Sequence, residues 1–515
     1  MNTEFPKTQF NKTSPTIADQ IRFALLAFRD VLLFLISQRY STFIKGFRLL
    51  SPQYLDWTSR IRARRIYYFA VKKVPAYKNF IKDKEIKKWS EIPFTDKDTY
   101  IRKYPTDQRC VNGNIPLTGI AIDESSGSTG TPYNWVRSLR ERHESHTFIS
   151  YFFTYCYGKK AWVIINAFSM GAWATGVNMG IALQQNGTVK NTGPDIGKIL
   201  HTLEFFGNDC EYIITGYPPF LKQLYDYSKE QNFPWERYSL SALVGGEGMS
   251  EGLRDYLLHG FKKVYSGYGA TDLEIGIGGE TPLTLAIRRL AREKPEVRKL
   301  LFGEDSRLPM IFQYNPIMHY IEVNNNRELM FTMTRKSVLS PRIRYNVHDE
   351  GGICRYDRMR EKLKSLGYDI DNLTKGEENK NLTFPFMWIY GRRDFTISIM
   401  GANIYPEDIE QCLYDDQELA TITRSFCQAV IEGENASVRP AFYFEITETP
   451  SEELKKRFAK SILEKLIILN ADFREAWHEY ADTLKPEIYL FRQGEGPFKA
   501  DQNKIKQTRV IKAKP

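Results

Sequence analysis

The sequence contains no Cys-x-x-Cys pair, and its six cysteines (Cys110, Cys156, Cys210, Cys354, Cys412 and Cys427) stand far apart. That spacing excludes a zinc ribbon and a disulfide framework, and it reads as reduced, mostly buried thiols of a cytoplasmic protein. Histidine is scarce, with seven in 515 residues. His143 and His146 flank Glu144 in a predicted helix, but metalloprotease spacing and a third ligand are missing. A solvated helix face is the reading there. No uncharged apolar run reaches the roughly 20 residues of a spanning helix. No Gly-x-x-x-x-Gly-Lys-Ser/Thr motif occurs, and no Gly-x-Gly-x-x-Gly turn opens a helix, which discounts a Rossmann dinucleotide site. Charge is uneven as well. Residues 1–75 hold thirteen Lys/Arg against four acids, nearly all of the net +10. The rest is close to neutral, which argues against a nucleic-acid surface along the whole chain.

What is present is a balance of 42% hydrophobic and 26% charged residues, excluding a fibrous or disordered chain. The length is too great for one compact core, so two or more domains are expected. The most informative stretch is Ser126-Gly127-Ser128-Thr129-Gly130-Thr131-Pro132, which follows a short apolar run. Glycines let backbone N–H groups approach an anion closely, and hydroxyls add donors, so this is a phosphate cradle. Taken alone it is equally a flexible Ser/Gly loop.

Residues 17–50 read as helical and apolar, interrupted by Arg22, Arg29 and Asp30. Two readings remain for this extension. It packs on the body, which is preferred, or it rests as a basic amphipathic segment on an anionic membrane, peripheral to the inner face. Residues 60–109 read as helix, loop, helix, with Thr95 as an N-cap. Strands are expected at 161–168, 210–215, 243–246 and 262–268, with helices at 196–206, 218–228 and 250–259. That alternation predicts an α/β fold with parallel βαβ units, covered by helices on both faces. A strand follows at 328–333, then an acidic turn ending 341–352 and a charged surface loop at 360–382. Past Asp394, strands at 428–431, 441–446 and 487–491 with a helix at 452–469 predict a small α+β domain. The expected division is therefore 1–59, 60–393 and 394–515.

From about residue 60 onward, ordered segments resemble the adenylate-forming superfamily of acyl-CoA synthetases and peptide-synthetase adenylation domains. The phenylacetate–CoA ligase/CapK-like branch is the most similar. The segments are Val74-Pro75-Ala76-Tyr77 and Ile92-Pro93-Phe94-Thr95, the loop at 126–132, Gly245-Gly246-Glu247, and Gly267-Tyr268-Gly269-Ala270-Thr271-Asp272. Then come 345–349, 390–394 continuing through 401–410, and Lys504-Ile505-Lys506-Gln507-Thr508-Arg509-Val510. The resemblance implies a ligase that joins a carboxylic acid to ATP, releases pyrophosphate, and passes the acyl group to a thiol. Coenzyme A is the first choice of acceptor, a carrier-protein thiol or an amine the alternative, and a non-catalytic binding descendant the remaining reading.

The same resemblance implies the roles. Ser126, Gly127, Ser128, Thr129 and Gly130 hold the β- and γ-phosphates, while Gly246, Glu247, Tyr268, Gly269 and Thr271 line the adenine. Asp349 accepts from the ribose hydroxyls, and Arg392 lies near the ribose and α-phosphate. Asp272 stands where relatives place a magnesium-binding glutamate, and oxygen ligands suit that ion. Lys506 bridges carboxylate and nucleotide, with Lys504 and Lys499 as fallbacks, so Lys506, Thr129 and Asp272 form the catalytic set. Phe168, Met170, Trp173 and Tyr217 shape the acyl pocket, Asp394 is the hinge, and Gly401 belongs to the loop used in thioester formation. Bringing two anions together explains the cationic and donor-rich set. Four positions depart from the pattern: Asp272 is one methylene short, His348 replaces a glycine, and Thr131 and Tyr133 occupy places where relatives often have lysine.

Overall fold

The computed structural model describes residues 10–124, 133–171, 174–305, 307–377, 381–392, 397–399, 402–432, 438–499 and 509–511. Helices α1 (Ile17–Ile36), α2 (Tyr40–Arg48), α3 (Pro52–Lys73) and α4 (Pro75–Phe80) lead the chain. A capping box between Thr16 and Asp19 starts α1, and Ser51 with Pro52 at the first turn starts α3. Position 59, the expected end of the extension, lies inside α3. The cap expected at Thr95 falls one residue later. Asp96 caps a single wide turn, Lys97–Ile101. Thr95 instead bridges to Tyr345, its N–H donating to the Arg344 carbonyl at 3.1 Å.

Strands β1 (Ile120–Glu124) and β2 (Asn134–Ser138) pair antiparallel, bracketing the predicted phosphate loop. Helix α5 (Leu139–Tyr157) follows, capped by Ser138 and Glu141. Then come β3 (Trp162–Asn166), α6 (Ala174–Leu183), β4 (Gly187–Asn191), α7 (Ile196–Phe206), β5 (Glu211–Gly216), α8 (Pro218–Glu230), β6 (Ser239–Gly245), α9 (Glu251–Leu257) and β7 (Val264–Ala270). These five strands pair parallel, as expected for βαβ units. Their buried Ile164, Ile165, Ile213, Ile214 and Val244 show why the runs are apolar on both faces.

The expectation of parallel pairing fails after β7. Only residues 271–273 join it to β8 (Glu274–Gly279), too few for a crossover, so the two pair antiparallel. Helices α10 (Pro282–Glu293) and α11 (Pro295–Phe302) intervene before β9 (Met310–Tyr314), β10 (His319–Val323), β11 (Glu328–Met333) and β12 (Tyr345–Cys354). Helix α12 (Tyr356–Ser365) and β13 (Phe386–Arg392) complete one mixed sheet in the order β10-β11-β12-β13-β9-β8-β7-β6-β5-β3-β4. The acidic turn expected near 349 is therefore the middle of β12. The expected loop at 360–382 begins as the second half of α12. His146 also differs from expectation. It is buried, with Nε2 2.9 Å from Asn178 Oδ1, and burial lowers its pKa.

Beyond 394, β14 (Ile397–Ile399) and β15 (Ala402–Ile404) form a hairpin, followed by α13 (Pro406–Tyr414) and α14 (Gln417–Ile422). Strands β16 (Thr423–Glu432), β17 (Val438–Ile446) and β18 (Glu487–Arg492) form a second sheet, with α15 (Glu452–Leu469) and α16 (Ala471–Leu484) between the last two. Phe426, Phe442, Phe444, Phe458 and Ile462 give this part its own core. It sits against α8 and α9. The Ser250 N–H donates to Glu410 Oε2 at 3.1 Å, and Lys222 Nζ donates to the Thr423 carbonyl at 3.0 Å.

Candidate nucleotide and acyl site

The carboxyl ends of β5, β6 and β7 carry Tyr217, the 245–247 segment and the 267–272 segment. Ligands of open parallel sheets bind outside such strand ends. Gly246 has φ +84°, and a Cβ built there would lie 2.5 Å from the Tyr217 ring. Only glycine fits that approach. Tyr217 in turn meets Phe168 edge to face, with ring centroids 5.3 Å apart. Burial, and then the Glu247 carboxylate, push the Tyr217 phenol up to about 12.

Phe168 and Tyr217 line a cavity of about 140 Å³ together with Phe148, Phe152, Tyr157 and Met179. Gly279 leaves room for the Phe152 ring and Gly276 for Ile149. A Cβ at Gly279 would meet Phe152 at 2.3 Å, and one at Gly276 would meet Ile149 at 2.5 Å. Glu124, Gly246, Tyr268, Gly269 and Thr271 also line the cavity. Met170 does not line this cavity. It is half-buried and faces Gly193.

Tyr268 and Asp349, assigned separately to adenine and ribose, meet directly. The Tyr268 Oη donates to Asp349 Oδ2 at 2.6 Å, and the Tyr268 ring packs against Phe312 and Phe331. Asp349 stands opposite Arg392 in the β12–β13 ladder. His348, where the resemblance expects glycine, takes a left-handed conformation at φ +64°. Its side chain sits 3.3 Å from Glu328, and its N–H donates to Asn346 Oδ1 at 2.8 Å. A non-glycine residue in that conformation costs backbone strain, and it lies directly before Asp349.

Asp272 is held on both oxygens. The Tyr345 Oη donates to Oδ2 at 2.7 Å, and Lys97 Nζ lies 3.3 Å from Oδ1. Burial, then the adjacent Asp272 carboxylate, raises the Tyr345 phenol well above its usual range and keeps it a donor. No group of three metal-binding side chains exists among the described residues. Magnesium, however, takes most of its oxygens from phosphate and water and needs only one or two carboxylates. The half-buried Asp272 fits that limited demand. Nearby Glu274 does not, because it is consumed by buried contacts with His319 and Arg335. Against the cost of burial, Arg335 and then the contact with His319 hold its carboxyl down to about 2.

Two charged clusters had no signature in the sequence. Arg254 joins Glu251 at 2.9 Å and Glu280 at 2.6 Å, while Glu280 also accepts from the Ser266 N–H. This buried set fixes β7 against α9 directly below the cavity. Arg307 donates to Asp305 and Glu350, each at 2.8 Å, and lies 4.4 Å over the Tyr390 ring and 4.1 Å over the Tyr405 ring. It therefore touches residues on both sides of the predicted hinge. Ser126, Gly127, Ser128, Thr129, Gly130, Trp173, Asp394, Gly401 and Lys506 lie outside the described residues, as does the side chain of Arg392.

Neither a protein-family model nor a curated protein sequence matches the chain. Solved structures do. The structure of 2-hydroxyisobutyryl-CoA ligase in its postadenylation state, with 2-HIB-AMP, superposes with a TM-score of 0.64 at 13% identity, over 90% of this chain and 91% of that one. The fold is that of an adenylate-forming CoA ligase. The same ligase in complex with 2-HIB-AMP and CoA, in its thioesterification state, gives 0.52 at 14% identity over 90% and 91% of the two chains. The CoA-ligase fold thus covers both the large mixed sheet and the small sheet beyond 394.

Proposed function

We propose that this chain activates a carboxylic acid with ATP and transfers the acyl group to a thiol, with coenzyme A as the acceptor. The observation that carries the reading is the hydrogen bond to Asp349 from Tyr268, itself a lining residue of the ring-lined cavity. It brings together an aromatic face for a base, a carboxylate for ribose hydroxyls and an apolar chamber for an acyl group. In the first step a carboxylate oxygen bonds to the α-phosphorus of ATP, the bond to the β-phosphate oxygen breaks, and pyrophosphate leaves. In the second a thiol attacks the acyl carbon, AMP leaves, and the thiol proton passes to solvent.

In this reading residues 126–130, Thr129 included, hold the leaving phosphates, and Lys506 and Arg392 neutralise charge at the α-phosphate. Asp272 would hold magnesium, which supplies charge neutralisation on the phosphates. Asp394 marks the boundary between the activating body and a domain that presents Gly401 to the thiol. The cavity's rings favour an apolar or aromatic acid. Coenzyme A is preferred because a ligase of this fold has been captured with it.

The test is acid-dependent exchange of pyrophosphate into ATP across a panel of carboxylic acids, with CoA and amines scored separately as acceptors. Exchange with at least one apolar acid, and thioester formation on adding CoA, is the expected result. Absence of exchange with every acid removes the proposed activity. Product formed only with amines moves the acceptor.

A further inference from the structure

Helix α1 is amphipathic with its polar side turned inward. Asp19, fully buried, lies 2.9 Å from the buried Arg64 of α3, and Asp30 pairs with Arg62 and Arg65. Leu26 is buried between these two acids. The opposite face presents Ile21, Leu25, Phe28, Leu32 and Leu35, each between 52% and 78% exposed. Their spacing of four, three, four and three residues makes one continuous stripe. Gln20 apart, every exposed position described on α1 is apolar. At 20 residues the helix is about 30 Å long, so this stripe exceeds the scattered apolar exposure of ordinary surfaces.

Charge decides what covers it. Between residues 10 and 55 the only acids are Asp19 and Asp30, and both are turned into ion pairs with α3. The bases are Lys12, Arg22, Arg29, Arg39, Lys45 and Arg48, with Arg39 and Lys45 exposed just past the end of α1. Arg22 is answered by Asp19 at 3.9 Å, and Arg29 lies over the Tyr54 and Trp57 rings. The exposed bases are therefore Arg39 and Lys45, and a second copy of this helix laid against the stripe would bring them no outward-facing acid of α1. A lipid surface bearing anionic headgroups answers both the stripe and the exposed Arg39 and Lys45 beyond it. Because α1 is not long and apolar enough to cross a membrane, it would lie in the interfacial plane. We propose that α1 is a docking face for an anionic membrane, with the stripe in the headgroup–acyl boundary and Arg39 and Lys45 against the headgroups. This stands independently of the proposed ligase activity.

The test is co-sedimentation of the full-length protein with phosphatidylcholine vesicles, with and without phosphatidylglycerol, at low and moderate salt. Three proteins are compared: the wild type, a combined Leu25→Gln, Phe28→Gln, Leu32→Gln variant, and a combined Arg39→Ala, Lys45→Ala variant. These side chains are outward-facing, so melting temperatures are expected to match the wild type. The wild type should pellet with anionic vesicles and release as salt rises. The apolar triple variant should lose at least tenfold in binding, and the basic pair roughly 10- to 30-fold. A wild type that stays in the supernatant overturns the proposal. So does equal pelleting of wild type and triple variant, or of anionic and neutral vesicles. A dimer in sedimentation velocity that the triple variant disperses, without vesicle binding, assigns the stripe to a second copy instead.

Discussion

Asp349 depends on two neighbours that local sequence does not join. Tyr268, 81 residues earlier, donates to it, and His348 directly before it takes a left-handed conformation. Charge-assisted hydrogen bonds to hydroxyls contribute about 1.5–3 kcal/mol. Asp349→Ala is therefore expected to weaken ATP binding by roughly one to two orders of magnitude in titration calorimetry. Native affinity in that variant would move the ribose site elsewhere. Lys506→Ala has a different signature. If Lys506 acts on charge formed during adenylation, pyrophosphate exchange is abolished while ATP affinity holds. Exchange at the wild-type rate would remove Lys506 from the reaction. The types of these residues were legible because each sits in a recognisable short segment. Arg307 and Glu274 were not, since Glu350 for the one and His319 and Arg335 for the other are distant in sequence.

Strands and helices show where local pattern suffices and where it stops. The helix expected at 196–206 and the strand at 328–333 match α7 and β11 because periodicity and capping act over a few residues. The reading of 341–352 as ending in a turn failed for a physical reason. Its glycines and acids resemble a loop, yet Gly351 and Gly352 pack against Trp388 of β13, where a Cβ would lie 2.0 and 2.3 Å from that residue. The ladder demands glycine there. Arg307 links this strand, through Glu350, to the rings of Tyr390 and Tyr405. Arg307→Ala leaves Asp305 and Glu350 only the half-exposed Arg327, 3.5 and 3.8 Å away, and removes their charge-assisted hydrogen bonds, so it is expected to destabilise the fold by about 1.5–3 kcal/mol. Urea denaturation measures this. A midpoint within error of wild type would show that the clamp carries no stability.

At the scale of the whole molecule, the part beyond 394 meets the larger body through α13, which is dense in acids. Burial, then Asp408 and Glu410, pushes the Glu407 carboxyl up to about 7, and burial pushes Asp408 up to about 6. Both folded values lie above the unfolded ones. Their stabilisation is therefore complete below the unfolded pKa and is lost as pH rises through the folded pKa. Glu274 runs the other way. Held near 2, it adds stability that persists above the unfolded value and is lost only as pH falls toward 2. The melting temperature is expected to decline from about pH 5 to 8, and Glu407→Gln should flatten that slope. A slope unchanged in the variant would place the titration on other groups.

Sequence alone determined the first strand of the parallel half and the alternation of helix and strand from 196 to 270, but not α6 and β4 between them. These rest on side-chain periodicity, turn chemistry and capping, all of which act locally. Tertiary structure decided the antiparallel half of the sheet, the meeting of Tyr268 with Asp349, the loss of Glu274 to His319 and Arg335, and the outward turn of the α1 stripe. Each depends on which elements become neighbours, and no spacing along one chain encodes that distance.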